Sequence, residues 1–114
     1  MAYGTNAQFD SIREIAFGGI GGMYAPLGSP LSENSRIISF FNSTDQDVYI
    51  SDNIKKEQIR IASGTGSVLD LTANKSDRDG MKINIGRQFY IKHTGAAPTL
   101  GNVWIQSVYA SGGV

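Results

Sequence analysis

A transition-metal site in this 114-residue chain would have to be mostly carboxylate, because it has one histidine and no cysteine. The histidine, His93, closes an alternating run and is followed by Thr94 and Gly95. A general base needs an oriented partner and a proton within hydrogen-bond reach. No motif surrounds this imidazole, so it is expected to be an exposed polar residue and not a base. Serine nucleophiles would lack a base for the same reason, and no pair among the acids stands out as a glycosidase couple. Calcium, with about six to eight oxygen ligands, is the metal the acids could serve. Asp45 and Asp47 flank Gln46, with Asp52 beyond the next apolar run; a second set is Asp77-Arg78-Asp79-Gly80. The second ends like a calcium loop, but Lys75 stands where the first ligand belongs and no Glu follows at the required distance. Both sets are expected to be solvated turns.

Gly18-Gly19-Ile20-Gly21-Gly22 invites a phosphate-loop reading. A dinucleotide fingerprint needs its glycines between a strand and a helix, and a P-loop ends in Gly-Lys-Ser/Thr. Neither spacing is met, and Met23-Tyr24-Ala25-Pro26 does not open a helix, so a bend or close backbone approach is expected. No catalytic, cofactor-binding or metal-ligating residue is assigned. The chain is expected to be a non-enzyme with no cofactor.

Ten basic and ten acidic residues give a net charge of zero. Phosphate-driven nucleic-acid binding needs a basic cluster. Lys55, Lys56 and Arg60 come nearest, with Asp52 and Glu57 among them, so no specific nucleic-acid binding is expected. The first residues lack a basic and apolar leader pattern, so no signal peptide is expected. No apolar run approaches the roughly 20 residues that cross a bilayer as a helix, and no membrane association is expected. A soluble product of a cytoplasm follows, and the length suits one domain.

The elements that must position these groups read as strands. Arg36–Ser51 is the organising stretch: Ile37, Ile38, Phe40 and Phe41, a polar corner from Asn42 to Asp47, then Val48, Tyr49 and Ile50. Asn, Asp, Ser and Thr side chains bond nearby backbone and favour turns, which predicts a β-hairpin. Before it, 1–17 is expected to be an extended N-terminal arm and first strand, and 18–35 a Gly/Pro-rich loop. Alternation continues in Ile59 and Ile61, in Leu69, Leu71 and Ala73, and in Met81, Ile83 and Ile85. It resumes in Phe89 and Ile91, and in Val103, Ile105, Ser107 and Tyr109 opposite Trp104, Gln106 and Val108. Short alternating runs at turn-separated intervals predict an all-β fold: one antiparallel β-sandwich or small barrel of seven to eight strands. Its core is expected over 36–110, with a tail at 111–114.

Arg13-Glu14-Ile15-Ala16-Phe17, the stretch from Tyr24 through Pro26 and Pro30 to Leu31, Arg36-Ile37-Ile38 and the Asn42–Ser51 corner occur in an order that resembles small structural proteins of tailed bacteriophages. Such proteins often carry an Asn-x-Thr-Asp-x-x-Val-x-x-Ser corner, a Leu-Asp-Leu-x-x-Asn stretch (here Leu69 to Asn74) and a closing pattern like that of Lys92 to Ile105. The likeness runs from about Arg13 to Tyr109. Where many relatives have Ser-Asp-Gly, this chain has Ser51-Asp52-Asn53, and Asn also tolerates left-handed turn geometry.

The resemblance implies a virion component, made in the bacterial host cytoplasm, that works by assembly. Its partners would be other virion proteins (portal, adaptor, tail or major capsid protein) and further copies of itself in a ring. A head–tail connector, neck or tail ring role is the expectation, with a capsid decoration protein as the alternative. Met23, Tyr24, Leu27 and Leu31, with Leu100 of the last long connection, are the expected subunit interface. The competing reading of these loop residues is that they fold back over one end of the core. A carbohydrate- or receptor-binding module, with Trp104, Tyr90 and Tyr49 as an aromatic platform, is the second alternative.

Overall fold

One strand, Asn102–Ser111, is the longest among the described residues and holds the larger sheet together. The computed structural model describes residues 6–52, 58–70, 83 and 85–111. Their strands in chain order are β1 (Asn6–Phe9), β2 (Arg13–Ala16), β3 (Ala25–Pro26), β4 (Ile37–Asn42), β5 (Val48–Ser51), β6 (Ile59–Ile61), β7 (Thr65–Asp70), β8 (Tyr90–Lys92) and β9 (Asn102–Ser111). They form two antiparallel sheets, and the molecule is a small all-β sandwich. The larger sheet runs β7-β4-β9, and β1 and β2 share the far edge of β9. The smaller runs β3-β8-β5-β6.

The alternation read from the sequence decides which side chains meet. Ile38 and Phe40 of β4 and Val103 and Ile105 of β9 turn inward against Val48, Ile50, Ile61 and Ile91 of the smaller sheet. Phe40 and Phe89 meet edge to face across the core, with ring centres 5.7 Å apart, an arrangement the ring quadrupoles favour.

The Arg36–Ser51 stretch is not the expected hairpin. Its strands β4 and β5 lie in different sheets, so the polar corner is an arch over one end of the sandwich. The reason is Asn42, which faces the core fully buried. Its amide donates to the carbonyls of Gln46 (2.8 Å) and Ile61 (3.0 Å), and its Oδ1 accepts from the Thr44 amide (2.9 Å) and hydroxyl (2.6 Å). A buried amide so saturated bends the chain inward, whereas a hairpin turn would have left it in water. The return crossing, from β6 to β7, is tied to the arch by Ser63, whose hydroxyl donates to the Thr44 carbonyl (2.6 Å). Gly101, at φ +86°, fits where a Cβ would lie 2.2 Å from the Ser43 carbonyl oxygen.

Nor is 1–17 an arm throughout, because β1 and β2 are both laddered onto β9. Phe9 stands opposite Val108 and Arg13 opposite Ile105, so three residues, Asp10 to Ile12, face two, Gln106 and Ser107. This is a β-bulge. In an uninterrupted strand, residues three apart point to opposite faces. The extra residue turns both Asp10 and Arg13 inward, where they form a buried ion pair at 3.4 Å. Arg13 also donates to the carbonyls of Ser11 (2.5 Å), Ser29 (2.8 Å) and Pro30 (2.7 Å). Asp10 accepts from the Ser11 amide (2.7 Å) and from the Ser32 hydroxyl (2.5 Å) and amide (3.2 Å). The 18–35 loop is thereby fastened down, and it delivers Ile20, Leu27 and Leu31 to the core. Ser111, placed in the expected tail, is the last residue of β9. Of the Met81–Ile85 run, Ile83 makes an isolated bridge with Ser35, while Met81, Leu71 and Ala73 lie outside the described residues.

Candidate functional site

Inward alternation in β4 and β9 leaves Phe41 and Trp104 on the outer face of the larger sheet, directly opposite one another. Their rings stack with centres 4.7 Å apart and planes 23° from parallel. Gly66, the β7 partner of Phe41, has no side chain in the way; a Cβ there would come within 2.9 Å of the Phe41 ring. On the side of Trp104 away from Phe41 runs β2, where Glu14 pairs with Trp104 in register. Ile12, Glu14 and Trp104 line an open cleft of about 410 Å³. Asn102 donates from its amide to Glu14 Oε2 at 3.0 Å, which fixes the carboxylate beside the indole.

Around this cleft the outer face carries exposed apolar side chains on either side of a polar Ser39–Gln106 pair. Phe9 is 79% exposed, Val68 65% and Ile12 58%; Ile37 and Val108 lie half-buried in the Phe9 row. The outer face of the smaller sheet differs in kind, carrying Tyr49 flanked by Arg60 and Lys92. The three aromatics of the expected sugar platform therefore do not converge: Trp104 lies on one sheet, Tyr49 and Tyr90 on the other.

Two members of the expected interface are corrected by the packing. Leu27 and Leu31 are 0% and 2% exposed; the amide of Leu27 donates to the Phe89 carbonyl (2.8 Å) and that of Leu31 to the Arg87 carbonyl (3.0 Å). Those bonds draw the loop over the end of the core, which is the competing reading. Met23 is 83% exposed and Leu100 is also exposed. Tyr24 is half-buried, with Lys92 Nζ 5.0 Å from its ring centre.

Asp45, Asp47 and Asp52 are occupied by structural work. Asp45 accepts from the Thr99 hydroxyl and amide, and these bonds hold its carboxyl below the usual carboxylate value. Asp47 accepts from Arg60 and from the Ser63 amide, which lowers it likewise and raises the Arg60 guanidinium. Asp52 is bonded by Arg87. A cleft of about 220 Å³ lies beside Asp45 and Asp47, bordered by Tyr49 and residues 94–96. Among the described residues no group of three metal-ligating side chains comes together; the Asp77–Gly80 set, Lys55 and Lys56 lie outside them.

His93 Nδ1 lies 3.0 Å from the Gly95 carbonyl oxygen, and the His93 main-chain amide donates to the Gly21 carbonyl. Phe17–Gly19 forms a single 3-10 turn, too short for a phosphate site. The exposed stripe of Phe9, Ile12, Phe41 and Val68 was missed in the sequence. The available signal was the pair Phe40-Phe41, of which a strand can bury only one against a given face. Comparison of the chain with family models, curated proteins and solved structures finds no match to any of the three.

Proposed function

We propose that this chain is a non-enzymatic structural protein of a tailed-bacteriophage particle, a head–tail connector, neck or tail ring component that acts by contact between subunits. The observation that carries this reading is the outer face of the larger sheet. A sandwich needs apolar residues only on its inner faces, and the outer ones ordinarily meet water. Here Phe9, Ile12, Phe41 and Val68 stand exposed on one such face around Trp104, the kind of surface a protein partner covers. Support also comes from the phage-like corner at Asn42–Ser51, which holds the arch together, and from Asp45, Asp47 and Asp52, whose bonds are internal. The partners are the portal, adaptor or tail proteins and other copies of the chain.

Electron microscopy of phage particles with a gold-labelled antibody against the chain tests this. Label at the head–tail junction or on the tail is expected. Label over the head would make it a decoration protein, and particles whose mass spectra lack its peptides would end the virion reading. A carbohydrate-binding role has one specific observation in its favour, the stacked Trp104 beside the Glu14–Asn102 pair. Trp104 is the only tryptophan, so fluorescence unmoved across a panel of glycosides would retire that alternative.

A further inference from the structure

An edge strand offers unpaired N–H and C=O groups to any passing strand, and proteins ordinarily blunt such edges with Pro, Lys, a bulge or brevity. Three of the four edges here are blunted. β3 has two residues, one of them Pro26. β6 has three, with Arg60 engaged by Asp47. The β1–β2 edge is kinked by the bulge at Asp10–Ile12. The fourth, β7, carries none of these devices. Its six residues, Thr-Gly-Ser-Val-Leu-Asp, keep unbroken register with β4 from Thr65 to Asp70. All six are exposed, and among the described residues no strand pairs with its other side.

We propose that β7 is a docking edge for β7 of a second copy, joined antiparallel about a two-fold axis normal to the sheet. A strand always meets its own copy antiparallel across such an axis, so no new element is required. Charge permits it: Asp70 is the one ionisable residue in β7 and sits at its end, so antiparallel pairing sends the two carboxylates to opposite ends. About 20 Å of ladder is available at the usual rise per residue. The axis keeps both outer faces on one side, and Val68 of each copy lies beside the join. The exposed Phe41 and Val68 and the half-buried Trp104 of two chains then lie on one side of the joined sheet, an apolar surface broader than either chain offers to the next component. The inference rests on the assembly reading in taking self-association to be the chain's business.

The test uses the purified chain in analytical ultracentrifugation, with Val68→Lys as the edge-blunting variant. The Val68 side chain faces solvent, so an unchanged thermal melt will show that V68K is folded. A dimer is expected, with its dissociation constant raised at least about tenfold in V68K. A wild-type monomer at about 100 µM, weaker than any stable assembly contact, would overturn the proposal and leave β7 to residues 71–82 or to a foreign strand. So would a dimer indifferent to V68K. Because the chain has no cysteine, single cysteines report geometry cleanly. Ser67→Cys or Val68→Cys alone is expected to give a disulfide dimer on oxidation, and Phe9→Cys alone is not. A disulfide formed only between mixed F9C and V68C chains would replace the two-fold join with a head-to-tail one. Dimers through β7 without label on particles would sink the virion reading alone; labelled particles built equally well from V68K would sink this one alone.

Discussion

Replacing Asp10 with Ala removes one half of a buried ion pair and leaves the other in place. Asp10 and Arg13 are each 4% exposed, so water cannot fill the gap freely. The Arg13 guanidinium keeps three carbonyl acceptors, at Ser11, Ser29 and Pro30, but loses the carboxylate paired with it, and Ser11 and Ser32 lose their acceptor. Orphaning a buried charge typically costs about 3–5 kcal/mol. The retained carbonyls place this site near the lower figure, so about 3 kcal/mol is expected. Domains of this size hold about 5–15 kcal/mol in all. A loss of that size moves the midpoint of a thermal melt by roughly 12–20 °C.

Two further measurements isolate the cause. The double variant D10A/R13M, which removes both charges, is expected to be more stable than the sum of the single losses predicts, by about 1–3 kcal/mol of coupling. The pH dependence has a definite sign. Burial pushes the Asp10 carboxyl up, but the Ser32 hydroxyl, the Ser11 and Ser32 amides and the Arg13 charge outweigh it, and the group ends below its ordinary value. Its contribution is therefore full above the unfolded value of about 3.9 and lost as pH falls through the lower folded value. The gap between wild type and D10A is expected to stay constant from neutral pH down to about 5 and to close below about 4. A D10A loss under about 1 kcal/mol, small beside the expected cost of a buried orphan charge, or additive single and double losses, would refute the reasoning.

Asn42→Ala deletes four hydrogen bonds from the arch and is expected to cost about 3 kcal/mol in urea melts, since each bond is worth about 0.5–1.5 and the stranded partners add more. Ser107 Oγ is buried among the described residues without a hydrogen-bond partner. Ser107→Ala is therefore expected to stabilise the fold, by about 1 kcal/mol in the same assay. Leu27→Ala should cost about 2–5 kcal/mol as a cavity in the core. Met23→Ala, four residues earlier and exposed, should leave the melt within about 0.5 kcal/mol.

The legible part of this fold was the alternation. Inward Ile38, Phe40, Val48, Ile50, Ile91, Val103 and Ile105 follow from a period of two, and so does the outward placement of Trp104. What alternation could not supply is which strands share a sheet. The Asn42–Asp47 corner has turn chemistry that suits a hairpin or an arch equally well. The choice fell to a tertiary contact, the Asn42 bond to the Ile61 carbonyl nineteen residues away. The Leu27 and Leu31 placements were hidden for a similar reason. A loop rich in Gly and Pro reads as surface, and only the distant carbonyls of Phe89 and Arg87 hold it inward. The bulge at Asp10–Ile12 leaves no mark in composition, because it is defined by its partners on β9. The exposed stripe around Trp104 lies between these extremes: its residues were visible one by one, but their adjacency depends on strand order.

The position of β9 in the chain also sets an order of events. It pairs with β1, β2 and β4, and all three precede it; Ala16 meets Asn102 across 86 positions and Asn6 meets Ser111 across 105. During synthesis every strand of the smaller sheet has been made before residue 102 is added, yet the larger sheet has only β4 and β7 to pair. A two-stranded ribbon is marginal on its own. Until β9 arrives, Ile38 and Phe40 lack the Val103 and Ile105 that flank them in the finished core. Closing such long loops late makes folding slow, on the millisecond-to-second scale of all-β domains. The waiting intermediate carries the β7 edge already exposed, so the nascent chain is most prone to misassociate just before its last strand is in place.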